Sequence, residues 1–234
     1  MVSVVIPTYN EEGYLGETLA ALAPQLTTGD EAVVVDSHST DRTVPIAESY
    51  GARVVQAARE GIGAAKSVGI RESHSPVIAF LDADGVPAAD WLTRIRAHFE
   101  DSDVLAVAGL GLYRTQDPRR RRAYNAFARG VWWLGVTGYT AFRMPWLPVN
   151  NCAFRKDAIA AKGAFRSVVC EDLDFAVRAR GLPGVRYDPH LRVHLSDRRF
   201  RSRSFARQVA EWARADLRIL LGRPLGTQGY GDPR

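Results

Sequence analysis

The segment Val77-Ile78-Ala79-Phe80-Leu81-Asp82-Ala83-Asp84 places two aspartates directly after five apolar residues. A short apolar run that contains β-branched and aromatic side chains predicts a buried strand. In an extended chain, residues two apart project to the same side, so the carboxylates of Asp82 and Asp84 converge beyond the strand. Such carboxylates repel each other unless a cation or protons intervene, and oxygen ligands suit Mg²⁺ or Mn²⁺. The segment therefore predicts a divalent metal site, although the same spacing also occurs in surface turns.

The residues around this segment repeat a pattern of strand and helix. Further short apolar runs, bounded by Gly, Pro, Asp or Ser, predict buried strands at residues 2–6, 32–35, 52–56 and 104–108. Apolar residues at helical spacing predict helices at residues 12–22, 42–50, 63–72 and 88–100. Repeated strand–helix units predict an α/β fold, a mostly parallel sheet with helices on both faces. Ligands of such sheets bind beyond the carboxyl ends of the strands.

Polar residues gather at that edge of the predicted sheet. The first strand is followed by Pro7, Thr8, Tyr9, Asn10, Glu11 and Glu12, and the second by Asp36, Ser37, His38, Ser39, Thr40 and Asp41. Ser, Asp and Asn also favour helix N-caps and turns. Their recurrence after successive strands nevertheless predicts a binding site.

The composition of the chain excludes several classes of protein. Of its 234 residues, 46% are apolar, 24% charged and 9% aromatic, which excludes disordered, collagen-like and disulfide-stapled chains. Cys152 and Cys170 match no metal-site spacing, so a reducing compartment is expected. The first residues lack the features of a secretory signal, and the longest apolar stretch, residues 131–149, contains Arg143 and two prolines. We therefore expect a cytoplasmic protein, which does not exclude contact with a membrane surface.

The net charge of +5 is unevenly distributed. Residues 1–116 carry eight basic and sixteen acidic side chains, whereas residues 117–234 carry 23 basic and ten acidic ones. This asymmetry predicts that the second half meets phosphate, lipid headgroups or nucleic acid. The alternative is genome composition, since 28 of the 31 basic residues are arginine. No repeat or low-complexity linker separates the halves, so we expect one domain, with residues 1–116 binding a nucleotide and residues 117–234 an acceptor.

The motifs of the chain resemble those of family 2 glycosyltransferases. The resemblance rests on Val4-Val5-Ile6-Pro7-Thr8-Tyr9-Asn10-Glu11-Glu12, Val34-Val35-Asp36-Ser37-His38-Ser39-Thr40-Asp41-Arg42-Thr43 and Phe80-Leu81-Asp82-Ala83-Asp84, in this order, and extends over residues 1–195. It implies the GT-A fold, with a Rossmann-like half that binds a nucleotide-sugar donor.

The resemblance also implies which residues bind the donor. The segment after the first strand would hold the nucleotide through Pro7, Thr8, Asn10 and Glu11, and Asp36 would contact the base or ribose. Ser37 and His38 stand where the family often has Asp followed by Gly, which leaves the identity of the base open. The stretch from Gly61 to Lys66 is similar to the family's glycine-rich segment, with Lys66 near a phosphate; alternatively, Gly61 ends a loop and Lys66 faces solvent.

The family's catalytic base lies in an acidic pair before a helix, which corresponds to Glu171 and Asp172. The alternative is that these carboxylates only favour the helix N-terminus. The resemblance implies that Asp172 accepts a proton from the acceptor hydroxyl and that Glu171 positions neighbouring groups. Asp84, assisted by Asp82, would hold the metal.

Two further positions are implied for the donor site. His194 takes the place of a later metal ligand in this fold, although a lone histidine is usually structural. Asn151, which follows Asn150, lies in a region that faces donor sugar and acceptor in related enzymes, or it finishes a turn.

The second half contains two basic segments with aromatic residues, at 119–133 and 198–207. Each segment has three interpretations: a solvated basic surface over an aromatic core, a patch that binds nucleic acid, or a helix that lies at a membrane interface. Basic residues beside Trp and Phe favour contact with an anionic membrane, and no recognised motif supports nucleic acid. The pattern of basic and apolar residues at 201–221 predicts a basic amphipathic helix. Within it, Gln208-Val209-Ala210-Glu211-Trp212 has Glu211 where polymer-extending family members have Arg, which argues against processive synthesis.

These observations predict a metal-dependent, inverting glycosyltransferase that transfers one sugar to an acceptor, either a cell-envelope glycan or a lipid-linked molecule, and that binds no nucleic acid. It would work in the cytoplasm, with peripheral contact to the inner face of the cell membrane. The alternatives are a membrane-associated binding protein of the same fold without catalysis and a sugar nucleotidyltransferase. The second needs a glycine-rich phosphate loop after the first strand, where this chain has acidic residues and no glycine before Gly13.

Overall fold

The computed structural model describes residues 1–163, 165–168, 170–198, 200 and 204–222. Within these residues the strands are β1 Val2–Thr8, β2 Glu31–Asp36, β3 Arg53–Gln56, β4 Val77–Leu81, β5 Gly85–Pro87, β6 Ala106–Arg114, β7 Asn151–Arg155 and β8 Val185–Ser196. The α-helices are α1 Leu15–Leu22, α2 Thr43–Ser49, α3 Ile62–Glu72, α4 Trp91–His98, α5 Pro118–Phe142, α6 Lys156–Lys162, α7 Glu171–Arg178 and α8 Phe205–Leu220.

The strands form one sheet in the order β3-β2-β1-β4-β7-β6-β8-β5. The first four are parallel, as predicted. Strand β7 runs antiparallel to both β4 and β6, β8 is parallel to β6, and β5 is antiparallel to β8. The sheet is therefore mixed, and β7 from the second half of the chain lies between two strands of the first half.

Both faces of the sheet are covered by helices. On one face, Val4 and Ile6 of β1 pack in a buried cluster with Leu15 of α1 and Trp91 of α4. On the other face, the intervening Val5 belongs to a second cluster that includes residues of α3, α6 and α7. Because side chains alternate along a strand, one continuous apolar run supplies both cores.

The basic segment at residues 119–122 forms the first turns of α5 and is exposed. Asp117 caps this helix by accepting hydrogen bonds from the backbone N–H groups of Arg119 and Arg120. The aromatic residues that follow differ in burial, since Tyr124 and Trp132 are buried whereas Trp133 is 61% exposed. The segment therefore combines an aromatic core face with an exposed apolar face.

Helix α8 begins at Phe205, later than predicted, because the hydroxyl of Ser204 caps it by accepting from the N–H of Arg207. The predicted residues 201–203 lie outside the described residues. Aromatic rings fasten α8 to the sheet and to α5, with ring centroids 4.7–6.0 Å apart between Tyr113, Tyr124, Phe200 and Phe205. None of the helices in the described part of the chain has the length and apolar composition needed to cross a bilayer.

Candidate active site

The loops that follow β1 and β2 are joined to each other. The backbone N–H of Asn10 donates to Ser39 Oγ at 2.8 Å, and Asn10 Oδ1 accepts from the N–H of Thr40 at 2.8 Å. The N–H of Glu11 donates to Thr43 Oγ1 at 2.7 Å. The polar residues predicted to bind the nucleotide thus form one ordered surface at the carboxyl edge of the sheet.

Asp36 stabilises this surface through hydrogen bonds to its carboxylate. Its carboxylate accepts from the N–H of Ser39 at 3.0 Å and from Ser39 Oγ at 2.5 Å, and Thr8 Oγ1 lies 3.4 Å from Asp36 Oδ1. Pro7, Thr8 and Asp36 are buried. The neighbouring Ser37 Oγ is also buried and has no hydrogen-bond partner among the described residues. Through these contacts the Asp36 carboxylate holds Ser39 of the loop that follows β2.

The glycine-rich segment has a structural basis at two positions. Gly61 precedes α3 with φ of 104°, a conformation that side chains rarely adopt. A Cβ at Gly63 would lie 2.1 Å from the carbonyl oxygen of Arg166, so α3 and the segment at residues 165–168 touch backbone to backbone. Two hydrogen bonds hold this contact, from the N–H of Ala64 to Ser167 Oγ and from Ser67 Oγ to the carbonyl of Phe165.

Lys66 does not face solvent, which excludes one of the two interpretations of its motif. It is 1% exposed, and its Nζ donates to Glu171 Oε1 at 2.8 Å. Burial opposes its charge, but the carboxylates of Glu171, Asp82 and Asp172 raise the pKa of Lys66 above its ordinary value. Lys66 thus stays charged and holds Glu171 at the start of α7.

Asp172 lies next to this pair in a different electrostatic environment. Its Oδ2 accepts from the indole Nε1–H of Trp146 at 3.3 Å, and its Oδ1 accepts from the N–H of Leu173 at 2.9 Å. Burial and the charge of Glu171 raise the pKa of Asp172 to about 7. A carboxylate with that pKa can take up a proton near neutral pH, which is what a general base requires.

The two aspartates after β4 face the same space as this acidic pair. Asp82, Asp84, Lys66, Glu171 and Asp172 line one cavity of about 590 Å³. The turn that carries the aspartates is fixed by hydrogen bonds from Thr18 Oγ1 to the carbonyl of Ala83 at 2.7 Å and from the N–H of Gly85 to the carbonyl of Asp82 at 2.9 Å. The structure thus brings together the predicted metal residues and the predicted base.

Arg198, which was not predicted to be a site residue, links two of the predicted site residues. Its Nη1 and Nη2 bind both oxygens of Glu11 at 2.6 and 3.0 Å, and its Nε lies 2.7 Å from Asp84 Oδ2. Burial opposes its charge, but the hydrogen bonds to Glu11 and the charge of Asp84 raise the pKa of Arg198. Its position just beyond β8, at the carboxyl end of a strand, is the sequence signal that could have identified it.

His194 does not join Asp82 and Asp84. It lines a different cavity, with Glu17 and Arg114, whereas the adjacent Leu195, which points to the other side of β8, lines the cavity of the acidic cluster. In the described part of the chain, no three His, Cys, Asp or Glu side chains lie close enough together to hold a metal ion. The three predicted ligands are therefore not assembled in this structure.

Asn151, which was predicted to belong to the donor site, lies inside the protein and does not line this cavity. It is fully buried, its Oδ1 accepts from Trp91 Nε1 at 2.8 Å, and its Nδ2 donates to the carbonyl of Leu191 at 2.8 Å. Both ends of its amide are engaged inside the protein. The adjacent Asn150 lines the cavity instead.

Comparison with known proteins gives a match over most of the chain. The family model described as Glycosyl transferase family 2 matches residues 3–160. An uncharacterized glycosyltransferase of Mycobacterium tuberculosis is 38% identical over 189 residues, which cover 76% of this chain and 78% of the relative. A dolichyl-phosphate hexose transferase of Haloferax volcanii is 34% identical over 130 residues, which cover 55% of this chain and 57% of that protein.

Solved structures show the same fold. The structure of the mannosyltransferase PcManGT from Pyrobaculum calidifontis, in complex with GDP-Man and Mn²⁺, matches with a TM-score of 0.71 at 21% identity. The match covers 97% of this chain and 65% of that one. The structure of TarS residues 1–349 from Staphylococcus aureus, in complex with UDP-GlcNAc, matches with a TM-score of 0.65 at 20% identity, over 84% of this chain and 58% of that one. The architecture is therefore the GT-A fold that the motifs imply.

Proposed function

The chain belongs to glycosyl transferase family 2, and we propose on this basis that it transfers a single sugar from a nucleotide-sugar donor to an acceptor, with metal dependence and with inversion at the anomeric carbon. The observation that supports this reaction best is the position of Asp172. It lies in the same cavity as Asp82 and Asp84, and its pKa is raised to about 7. A base and a metal-binding carboxylate pair on one cavity are the two groups that such a transfer needs.

In this proposal Asp172 accepts the proton of the acceptor hydroxyl while that oxygen attacks the anomeric carbon. The bond from the anomeric carbon to the nucleoside diphosphate breaks in the same displacement, so the configuration inverts. Glu171 has a different role, because its ion pair with Lys66 fixes the start of α7. An acceptor phosphate would attack in the same way without needing to lose a proton.

We assign the divalent cation to the carboxylates of Asp82 and Asp84, of which Asp84 Oδ2 is bound by Arg198 in this structure. Mg²⁺ and similar hard ions are commonly held by one or two carboxylates together with phosphate oxygens of the substrate, so a pair without a third protein ligand is sufficient. The bound ion would neutralise the charge that develops on the leaving nucleoside diphosphate. We favour Mn²⁺ for the first tests, because the PcManGT structure contains it. His194 remains only a sequence-based candidate for a further ligand.

We assign donor binding to the surface formed by the loops after β1 and β2. Pro7, Thr8 and Asp36 shape it from within, and Asn10 and Glu11 lie on its edge. Gly61 and Lys66 would border the diphosphate from the side of α3. Both UDP and GDP sugars are candidates, because the structures of TarS and PcManGT contain one of each.

We propose that the acceptor is a glycan or a lipid-linked molecule and that the protein works on the cytoplasmic face of a membrane. Trp133 of α5 and Leu217 and Leu220 of α8 are more than half exposed, as is the following Leu221. Arg214 and Arg218 are exposed on the same helix. Exposed apolar residues beside arginine suit the headgroup region of an anionic bilayer. The relative from Haloferax volcanii, named a dolichyl-phosphate hexose transferase, makes a lipid-linked acceptor a reasonable candidate.

The reaction is tested by the release of nucleoside diphosphate from a panel of UDP and GDP sugars with Mn²⁺. We expect release from at least one donor, its loss with EDTA and its recovery when Mn²⁺ is added back. Asp84→Ala should lose Mn²⁺-dependent donor binding, measured by calorimetry. A nucleotidyltransferase would instead release pyrophosphate from a nucleoside triphosphate. Donor binding without release, for every donor and acceptor tried, would support the non-catalytic alternative.

A further inference from the structure

The cavity at Asp172 continues away from the acidic cluster, between α5 and α8. Along this part its wall is formed by apolar side chains from both helices, which include Phe127, Val131, Trp132, Val209, Trp212 and Ala213. Its volume of about 590 Å³ is in the range of sites for small molecules. Thr8, Asn10 and Asp36 do not line it, so this part of the cavity lies apart from the surface that we assign to the nucleotide.

The chemistry of the wall selects among possible ligands. A sugar placed against these side chains would lose the hydrogen bonds that its hydroxyl groups make with water, at a cost of about 1–3 kcal/mol for each unsatisfied group. A hydrocarbon chain loses nothing there, because it removes apolar surface from water on both sides of the contact. The wall therefore favours a hydrocarbon chain over a carbohydrate.

The polar groups of the cavity are concentrated at its other end. Among the described lining residues, the charged side chains belong to the acidic cluster around Asp172, to Lys66 and to Asp216 of α8. A molecule with a polar head and an apolar tail matches this division.

The cavity opens to the outside across an apolar rim. Leu134 of α5 and Leu220 of α8 both line the cavity, although they are 71% and 56% exposed. The exposed Trp133 and Leu221 are their immediate neighbours in sequence. A chain that enters between these leucines passes from an apolar surface into an apolar cavity without crossing a polar barrier.

We propose that the cavity between α5 and α8 binds the hydrocarbon chain of a lipid-linked acceptor and thereby places the acceptor's polar head beside Asp172. This inference rests on the proposed function and makes it more specific, because it assigns the acceptor to the amphiphiles. The chain belongs to an isoprenoid phosphate or to a glycolipid, which share the tail and differ in the head that meets Asp172.

Binding can be measured without turnover. Trp132, Trp146 and Trp212 line the cavity, so a ligand whose chain carries bromine should quench tryptophan fluorescence when it binds there. The probes are brominated dodecyl glucoside and brominated farnesyl phosphate, each used below its micellar concentration, and methyl glucoside serves as a competitor without a tail. We expect saturable quenching by at least one brominated probe and no competition by methyl glucoside. The probe that binds more tightly identifies the class of head group.

Variants that fill the cavity provide the structural test. Ala213→Phe puts a ring into the wall from α8. Ala206→Phe makes the same change on the same helix at a position that is exposed, as Ala213 is, but does not line the cavity. We expect Ala213→Phe to weaken probe binding about tenfold or more, which corresponds to about 1.4 kcal/mol, and Ala206→Phe to leave it within about twofold. If Ala213→Phe does not fold, Val131→Phe with Ala123→Phe as its control repeats the test from α5.

The outcomes separate this inference from the proposed function. Donor binding with Mn²⁺ is measured on the same samples. It should be unchanged in Ala213→Phe, because Ala213 belongs to the α8 wall of the cavity, whereas the residues assigned to the donor belong to α3 and to the loops after β1, β2 and β4. If the wild-type protein binds donor but neither brominated probe, or if both phenylalanine variants of α8 bind the probes equally well, the hydrocarbon site is wrong and the transfer reaction stands. If the wild-type protein does not bind any donor, the proposed function itself is contradicted.

Discussion

Asp172 differs from its acidic neighbours in what compensates its charge. Glu171 is paired with the buried Lys66, and Asp174 is paired with Arg178 at 2.9 Å. Asp172 accepts from neutral donors, the N–H of Leu173 and the indole of Trp146. Burial and the neighbouring Glu171 therefore raise its pKa to about 7. Two carboxylates in the first turn of α7 thus form ion pairs, whereas Asp172 is suited to exchange a proton near neutral pH.

The raised pKa predicts a pH-dependent cost in stability. The pKa of Asp172 in the folded protein is higher than in the unfolded chain, where it is about 3.8. Ionisation therefore destabilises the fold as pH rises from about 4 through about 7. Asp172→Asn removes this cost. The free energy of unfolding of the variant, relative to that of the wild type, should therefore increase from about pH 5 to about pH 8, by no more than about 4 kcal/mol.

Urea unfolding of the metal-free proteins at the two pH values measures this difference. Asp174→Asn is the matched control, because it makes the same change in the same helical turn but removes an ion pair, and it should lower stability. A difference between Asp172→Asn and the wild type that does not change with pH would show that Asp172 does not titrate in this range.

For single residues, the sequence predicted which side chains belong to the site better than it predicted the direction in which each side chain points. Asp82, Asp84, Glu171 and Asp172 were selected by residue type and motif order, and the structure gathers them on one cavity. Their assigned roles stay predictions. The direction in which a strand residue points depends on the pleat and on what packs against each face, which motif order alone does not reveal. For this reason His194 was grouped with the aspartates, although it lines a different cavity.

Helix α3 is positioned by the absence of a side chain. Gly63 allows the carbonyl of Arg166 to approach the helix backbone, and the hydrogen bonds of Ala64 and Ser67 complete the contact. The same helix carries Lys66, which holds Glu171 at the start of α7. The glycine-rich segment therefore connects α3 to the helix that bears the proposed base.

Gly63→Ala should weaken this connection. Because the added Cβ would meet backbone at 2.1 Å, the two segments must separate, and we expect a loss of about 1–3 kcal/mol in the free energy of unfolding. Gly130→Ala on α5 is the control, since nothing lies within 4 Å of its added Cβ, and it should stabilise the helix by up to about 1 kcal/mol. Chemical denaturation measures both, and equal stability of the two variants would contradict the close contact.

The elements of the first half could be predicted, whereas the arrangement of the second half could not. The four parallel strands and their helices have strong periodic patterns, and their predicted positions agree with the structure to within a few residues. Strand β7 covers only Asn151–Arg155, and its hydrophobic pattern does not encode that it pairs antiparallel with β4 and β6. Strand β5 contains Gly85 and Pro87, which are uncommon within strands, and it lies at the edge of the sheet.

Arginine and exposed apolar side chains are unevenly distributed over the molecule. The second half carries the excess of arginine, and its helices α5 and α8 expose Trp133, Leu134, Leu217 and Leu220. Of these, Leu134 and Leu220 line the cavity. Charge attraction to anionic lipid and burial of apolar side chains in the headgroup region would act together on this surface. The orientation that results would turn the cavity opening towards the bilayer.

Liposome flotation tests this orientation. The wild-type protein should float with vesicles that contain anionic lipid and much less with neutral vesicles, because each basic residue contributes about 1 kcal/mol near an anionic surface. Replacing both Leu217 and Leu221 by Glu should abolish flotation, while Tyr50→Glu, a change at an exposed aromatic residue in the first half, should not. Failure of the wild-type protein to bind anionic vesicles would remove membrane contact from the proposal.

The most direct measurement of the central claim is the rate of transfer to a hydroxyl acceptor by Asp172→Asn beside that by Asp174→Asn, with donor and Mn²⁺ saturating. Loss of the base should lower the rate about a hundredfold or more while donor affinity, measured by calorimetry, stays within about twofold. Asp174→Asn should retain a rate close to that of the wild type. If Asp172→Asn instead transfers sugar as fast as Asp174→Asn does, the proton acceptor lies elsewhere and the assignment of this cavity as the catalytic centre is wrong.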